Sequence, residues 1–291
     1  MFRIKNFRRL IFLLVLLAFG IISCEKEDTS DFVKQAKIAA EYANAEDNMA
    51  DLFVIFHKAL HDSTLINTGE ATIDSAHVQY FQNSGPAYAE FVFDYGTTGT
   101  ICPDTKLRKG QISAVLNSPF DQAESIFIAN FENYMADSLL MKGQFSYKNT
   151  GEVVVGQLKY EIAMEVSFYS GSVKTLSLSA QRDIFWKSGY DKPYNTINHV
   201  FVMPGGASAL YFGNEGSVTP LSVLDVTFVE DWYIQFSCFN PIKKGTFEVS
   251  LDDATEVVLL NGEFLDVDDD GCADKIIIKN TDNSYGYPYY F

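Results

Sequence analysis

An acidic stretch near the end of the chain holds the side chains best suited to metal chemistry. Its oxygens alternate before Gly271, as in the opening of an EF-hand-like calcium loop. Ile277 stands where such a loop has its closing glutamate, and the flanking segments are predicted as strands. The sequence therefore favours an acidic hairpin turn that needs no cofactor, and calcium binding is the alternative. The candidate ligands are Asp266, Asp268, Asp270 and Asp274.

Two histidines have the spacing of a second metal site. His57 and His61 stand at i and i+4, which puts two imidazoles on one helix face. No HExxH pattern surrounds them, and His77 is the only other histidine nearby. The sequence favours a pair of exposed histidines at a helix C-terminus, where positive charge is favourable, and the metal site is the alternative.

Three cysteines beyond residue 24 allow one disulfide in an oxidising compartment. Cys238 and Cys272 are the favoured pair, because they bracket what is predicted as a single strand meander. Cys102 with Cys238 is the rival pairing, and the sequence leaves the choice open.

Catalytic motifs are otherwise missing from the sequence, which has no Gly-x-Ser-x-Gly elbow, phosphate-binding glycine loop or zinc-spaced Cys and His set. We therefore assign no catalytic residue. Trp186, Trp232 and the tail Tyr285 to Phe291 suit either an aromatic surface for a sugar or peptide, or packing in the core.

The N-terminus has the order of an export signal. Arg3, Lys5, Arg8 and Arg9 precede an apolar run, Leu10 to Ile22, that is shorter than the about 20 residues of a membrane-spanning helix. Gly20 to Cys24 then resembles a bacterial lipobox. The resemblance implies cleavage after residue 23 and lipidation of Cys24, which would attach the chain to a membrane. The alternative is an ordinary signal peptide with an incidental cysteine.

Residues 24–30 form a charged segment behind that cysteine. Glu25-Lys26-Glu27-Asp28 resembles the acidic tether that sends Bacteroidetes-type lipoproteins to the outer face of the outer membrane. This implies a surface location, whereas a merely solvated linker leaves the periplasmic face open.

Charge limits the partners further. The chain has a net charge of −16, and residues 1–23 carry four of its 22 basic residues and none of its 38 acidic ones, which leaves −20 beyond them. So acidic a chain is unsuited to nucleic acid and to anionic lipid. With 47% hydrophobic residues, it is also not globally disordered.

Residues 31–67 are predicted to be helical, because apolar residues recur there at three- and four-residue spacing. Asp31 is the expected N-cap. The helical segment is expected to end at Asp62-Ser63 and Asn67 to Gly69. A break near Asn44 to Asp47 divides the segment into two helices. The apolar positions are Ala36, Ala39, Ala40, Ala43, Met49, Phe53, Phe56 and Leu60.

Residues 76–291 follow a period of two instead, with glycine, asparagine and proline turns between short segments. No helical segments alternate with these strands, so the prediction is a mainly antiparallel β fold, meander or sandwich, with an N-terminal helix. The sequence leaves open whether this β region is one domain or two units, 80–190 and 195–291. The clearest strands are Ala89 to Tyr95, Gln111 to Leu116, Ser125 to Tyr134, Leu139 to Tyr147, Leu158 to Tyr169, Val173 to Trp186 and Asn198 to Met203.

Residues 80–280 resemble a group of uncharacterised Bacteroidetes-type outer-membrane lipoproteins. The group usually has Asp-Gly where this chain has Asp104-Thr105, and no activity is carried over, since the shared motifs are turns and strands. The resemblance rests on Asp94-Tyr95-Gly96, Cys102, Arg108-Lys109-Gly110, Asn130-Phe131, Lys142-Gly143, Arg182, Trp186, Gly189, Thr219-Pro220-Leu221, Cys238, Gly245 and Asp270-Gly271-Cys272.

The sequence as a whole favours a non-catalytic, lipid-anchored surface domain that binds an extracellular glycan, peptide or protein, or has a structural role. Two alternatives stay open. One is a periplasmic carrier whose curved sheet encloses a hydrophobic ligand, and the other is a glycan-active enzyme.

Overall fold

One long helix, α1 (Glu25–Leu60), is the centre of the fold. The computed structural model describes residues 25–82, 87–154, 156–189, 191–252 and 257–290. The export signal and Cys24 lie outside the described residues. A second, short helix, α2 (Ser63–Thr68), follows α1. Asp62 caps α2 by accepting a hydrogen bond from the Leu65 amide at 2.8 Å, and Gly69 ends it with a φ of 84°.

The prediction of helices in this region is right, but three of its details are wrong. The helix begins at Glu25, inside the expected tether, so Asp31 lies within it and does not cap it. No break occurs near Asn44 to Asp47, because α1 is continuous through them. Asp62 and Ser63 start α2 and do not simply end the helical segment.

Seventeen strands form one sheet in the described part of the chain, and every pairing is antiparallel. The mainly antiparallel β fold is therefore confirmed. The strands are β1 (Glu70–Ile73), β2 (Ala76–Gln82), β3 (Ala89–Asp94), β4 (Thr100–Ile101), β5 (Leu107–Lys109), β6 (Gln111–Leu116), β7 (Ile126–Ala136), β8 (Leu139–Val154), β9 (Gln157–Ser170), β10 (Val173–Ser188), β11 (Val200–Met203), β12 (Gly206–Tyr211), β13 (Ser222–Gln235), β14 (Ile242–Asp252), β15 (Val257–Leu265), β16 (Lys275–Asn280) and β17 (Gly286–Tyr290).

The strand order follows the chain closely. It runs from β1 to β3, then through β6 to β10, while β4 and β5 pair with each other and β5 with β7. Strands β11 and β12 both lie between β10 and β13, and β13 to β17 complete the order. The sheet is thus continuous across the point where the two units of 80–190 and 195–291 would meet.

The sheet curves around α1, which contacts strands from both ends of the order, including β1, β10, β14 and β17. The second half of α1 is buried on nearly all sides. The buried residues there include the polar residues Glu46, Asp47, Asn48, Asp51 and His57. A helix enclosed in this way must supply its charged groups with partners from the sheet. Those partners form the polar sites described below.

Candidate functional site

A cavity of about 650 Å³ opens at the C-terminal end of α1. We call it the aromatic cavity. Its volume lies within the range of small-molecule sites in proteins, roughly 300 to 1,000 Å³. Its aromatic lining residues are Tyr80, Tyr88, Phe91, Phe120, Tyr160, Trp186 and Tyr194.

Separate elements bring these rings together. Tyr80 comes from β2, Phe91 from β3, Tyr160 from β9 and Trp186 from β10, each at an inward position of its strand. Phe120 comes from the loop between β6 and β7. That loop is fixed to the sheet because the Asn149 side-chain amide donates a 2.8 Å hydrogen bond to the Phe120 carbonyl.

The rings have a defined mutual geometry. Phe120 and Tyr160 are nearly parallel, with ring centroids 5.9 Å apart and planes 9° from each other. His61 lies edge-on to Phe120 at 5.9 Å and to Trp186 at 5.5 Å. Such contacts hold aromatic side chains rigidly. The cavity therefore offers preformed flat surfaces to a ligand.

Three histidines continue the wall of the aromatic cavity into the core. His57 Nε2 is 3.2 Å from His199 Nδ1, and His57 Nδ1 is 3.1 Å from the Tyr147 hydroxyl. His61 Nδ1 is 2.9 Å from the His57 carbonyl oxygen. His199 Nε2 is 3.3 Å from the Lys192 carbonyl oxygen. Together these side chains form the histidine chain.

The hydrogen bonds assign the protons of the histidine chain. A carbonyl only accepts, so His61 Nδ1 and His199 Nε2 both carry hydrogen. His57 Nε2 then donates to His199, and Tyr147 donates to His57 Nδ1. His61 Nε2 is then unprotonated and can accept a hydrogen bond. It makes no hydrogen bond within the described part of the chain, and His61 lines the aromatic cavity.

Burial keeps all three histidines neutral at pH 7. It lowers the pKa of His61 to about 4 and also lowers the pKa of His57 and of His199. Gly189 makes room for this arrangement, since a Cβ there would lie 2.5 Å from the His199 ring, and its φ of +91° suits glycine.

The geometry of the histidine chain does not match the histidine metal site that the spacing of His57 and His61 suggested. His57 is fully buried, so the prediction of exposed helix-end histidines is wrong for it. Both of its ring nitrogens have partners in Tyr147 and His199. The three histidines form no group of converging metal-ligand atoms among the described residues. The sequence missed His199, which lies 142 positions from His57.

The predicted calcium ligands lie between β15 and β16. The structure brings carboxylate oxygens of Asp266, Asp268 and Asp274 within 4.8 Å of one another. Asp270 does not join this group, and its carboxylate accepts the Cys272 amide at 2.8 Å. Asp266 and Asp274 also accept loop amides at 2.7 Å, from Gly271 and Val267. The three grouped oxygens suit a hard cation, and the amide contacts also suit an acidic hairpin turn.

A disulfide joins Cys238 and Cys272, whose Cα atoms are 5.5 Å apart. This is the pair that the sequence favoured. Cys102 is reduced and buried. The disulfide ties the acidic loop to the segment between β13 and β14.

The two tryptophans have different roles. Trp186 lines the aromatic cavity, whereas Trp232 is fully buried and packs on Phe228 at 4.0 Å. The sequence did not single out Phe120 or Tyr160 as site residues. One feature of the sequence could have indicated Phe120. It directly follows an Asn-Ser-Pro turn, and an aromatic residue in a polar turn usually packs against another part of the protein.

No helix in the described part of the chain combines the length and the hydropathy needed to cross a membrane. Comparison of the chain with protein-family models, with curated proteins and with solved structures gave no match. The function is therefore argued from the geometry and from the sequence.

Proposed function

We propose that the protein is a lipid-anchored extracytoplasmic binding protein whose aromatic cavity takes a saccharide. The observation that carries this proposal is the combination of flat aromatic surfaces with hydrogen-bond acceptors in one preformed cavity. The export signal and the lipobox-like residues before Cys24 support the location. No catalytic step is part of the proposal.

A sugar ring presents an apolar face and a rim of hydroxyl groups. Phe120, Tyr160 and Trp186 offer ring faces and edges for the apolar side. His61 Nε2 and the Asp121 carboxylate offer acceptors for hydroxyl donors. A saccharide uses both kinds of surface, which a purely apolar ligand does not.

The carrier alternative requires the curved sheet to enclose its ligand. In this fold the side chains of α1 occupy that interior, and Phe53 and Phe56 are both buried there. The remaining space is the aromatic cavity at the end of the helix, where Leu60, Ile66, Leu116 and Leu158 lie beside the aromatic rings and the polar side chains of His61, Asp121 and Asn149. The saccharide proposal therefore has more support than the carrier.

Replacing Phe120 by leucine is expected to weaken saccharide binding by about two- to tenfold, since one aromatic contact contributes roughly 0.5–1.5 kcal/mol. Calorimetric titration of the detergent-solubilised chain with a panel of soluble mono- and oligosaccharides measures this. Phe228→Leu is the matched control, because Phe228 is similarly buried, at 9% exposure against 7%, and lies outside the cavity.

Two results would contradict the saccharide proposal. One is that no saccharide binds to the parent protein. The other is that Phe120→Leu and Phe228→Leu affect binding equally. A fatty acid that co-purifies with the chain, detected by mass spectrometry, would favour the carrier instead.

The anchor is tested separately by Cys24→Ser, which removes the sulfur that would be acylated. We expect the variant to leave the membrane fraction, since two or three acyl chains give stable anchoring and a protein without them has none. Fractionation followed by immunoblotting measures the shift, and a variant that stays with the membrane contradicts lipid anchoring. Protease treatment of intact cells then distinguishes the surface from the periplasmic face.

A further inference from the structure

Two carboxylates lie in the loop between β6 and β7, and only one of them is paired. Glu124 forms an ion pair with Lys148 at 2.9 Å. Asp121, three positions earlier, makes no ion pair with any described lysine, arginine or histidine. Asp121 is exposed and lines the aromatic cavity. The cavity therefore has a carboxylate that a ligand can reach.

The rest of the cavity lining carries no positive charge. Among the described residues that line it, none is a lysine or an arginine, and Asp121 is the only acidic one. His61 is neutral at pH 7, because burial lowers its pKa to about 4. An uncompensated negative charge beside apolar walls attracts a cation and repels an anion. The cavity thus selects a ligand by the sign of its charge.

The carboxylate of Asp121 and the aromatic rings border the same space. Burial lowers the pKa of His61, and the negative charge of Asp121 acts in the opposite direction and raises it. This places the carboxylate near the His61 ring. His61 in turn lies edge-on to Phe120 at 5.9 Å and to Trp186 at 5.5 Å. A ligand on the rings is therefore within reach of the carboxylate.

Asn149 of β8 holds the loop on both sides of Asp121. Its side-chain amide donates to the Phe120 carbonyl at 2.8 Å, and its own carbonyl accepts the Glu124 amide at 2.7 Å. The backbone that carries Asp121 is thus fixed before a ligand arrives. Such preorganisation lowers the entropy cost of binding.

We propose that the saccharide bound in the aromatic cavity is an amino sugar, whose ammonium group pairs with Asp121. This inference rests on the proposed function and names its substrate class. The apolar face of the sugar lies against the rings of Phe120 and Tyr160, and the ammonium lies at the loop. Nearby aromatic rings also attract an ammonium through their π-electrons. Its three N–H donors allow a second hydrogen bond, for which His61 Nε2 is the available acceptor.

Neutral and acidic sugars fit the charges of the cavity less well. A neutral sugar offers Asp121 only hydroxyl donors, and hydrogen bonds between two charged groups are the stronger kind. A uronic acid brings a second negative charge to a cavity that has no cation among its described lining residues. The expected order of affinity is therefore amino sugar, neutral sugar, acidic sugar.

Saturation-transfer NMR on the full chain in an uncharged detergent tests the proposal with three pairs of sugars. Glucosamine is compared with glucose, galactosamine with galactose, and mannosamine with mannose. At about pH 6 the amino group of each sugar is charged and His61 is still neutral. We expect the amino sugar of at least one pair to bind about fivefold more tightly than its neutral partner, as one solvent-accessible ion pair predicts.

The outcomes separate this inference from the proposed function. If no sugar binds, the saccharide function itself is contradicted. If sugars bind but the two members of every pair bind equally, only the amino-sugar inference is overturned.

Two further measurements on the parent protein isolate the charge. N-acetylglucosamine keeps the nitrogen and an N–H donor without the charge, so a gain equal to that of glucosamine overturns the inference. Raising the salt concentration from about 10 mM to about 500 mM should remove most of the preference, because it screens the ion pair. A preference that stays fivefold at high salt contradicts an ion pair.

The variant Asp121→Asn locates the preference. We expect the ratio of the amino-sugar affinity to the neutral-sugar affinity to fall from about five to about one. Asp231→Asn is the matched control, because it removes the same charge from an exposed position of β13 outside the cavity, and it should keep the fivefold ratio. Each ratio is measured within one protein, so a general loss of affinity does not imitate the effect. An Asp121→Asn protein that keeps the fivefold ratio overturns the assignment to Asp121.

Discussion

Replacing Arg182 by methionine is expected to lower the free energy of unfolding by about 3–5 kcal/mol, because Glu46 then stays buried without its cation. The exposed fraction of the side chain is 0% for Arg182 and 1% for Glu46. Removing one partner of such a pair leaves an uncompensated charge inside the protein. Urea unfolding of parent and variant measures the loss.

The surroundings of Arg182 leave no substitute for its charge. The Tyr42 hydroxyl donates to Glu46 at 2.6 Å and supplies a dipole but no cation. The guanidinium also lies 4.9 Å from the centre of the Phe228 ring and 3.5 Å from the Met203 sulfur. These contacts hold Arg182 in place between α1 and the sheet.

A double variant separates charge from packing. Glu46→Gln with Arg182→Met removes both charges and keeps an acceptor for Tyr42, so we expect it to be more stable than Arg182→Met alone. The control is Lys279→Met, since the pair of Lys279 with Glu263 at 2.8 Å is about one third exposed and should contribute less than about 1 kcal/mol. Similar losses for Arg182→Met and Lys279→Met would show that burial of the pair does not matter.

Acidification from pH 7 to pH 4 is expected to remove about 3 kcal/mol of stability through His61 alone. Its pKa in the folded protein is lowered from 6.5 to about 4 by burial. Between these values the unfolded chain binds a proton that the folded chain does not. The stabilisation is therefore complete above pH 6.5 and is lost as the pH falls through the folded value. His57 and His199, whose pKa values are also lowered, add in the same direction.

Asp51 acts with the opposite sign in the same range. Burial raises its pKa from 3.8 to about 7, so its protonated form stabilises the folded protein at low pH, and this contribution is lost as the pH rises through about 7. The total pH dependence is thus a sum of opposing parts. The contribution of His61 must be isolated with a variant.

His61→Gln keeps a donor for the His57 carbonyl and removes the titrating ring. We expect its unfolding free energy to fall by about 3 kcal/mol less than that of the parent between pH 7 and pH 4. Urea unfolding at several pH values measures the difference. His77→Gln is the control, because the His77 side chain is 54% exposed, and it should follow the parent. Parallel curves for His61→Gln and the parent contradict the prediction.

The strands were predictable because their signal is local. Gln111–Leu116 has the same bounds in the sequence prediction and in the structure, since apolar residues alternate there between a turn glycine and an Asn-Ser-Pro turn. Chain order also predicted the meander, because most neighbouring strands pair directly. The alternation of apolar and polar residues and the turn residues each involve only a few adjacent positions, so both can be recognised in the sequence alone.

The error about α1 has a long-range cause. Asn44 to Asp47 resembled a break because polar residues interrupt the apolar spacing. In the structure Glu46 pairs with Arg182, 136 positions away, and Asp47 with Lys106, 59 positions away. These partners let charged residues lie inside an unbroken, enclosed helix.

The sequence by itself determined the antiparallel β class and the net charge of −16, and it predicts an export signal with a candidate lipidation site at Cys24. Only the tertiary structure placed Phe120, Tyr160 and Trp186 around one cavity and buried Glu46 and Asp47 of α1 against Arg182 and Lys106. The reason is physical. Both sites combine side chains of α1 with side chains of distant strands or loops, and their meeting depends on how the sheet curves around the helix.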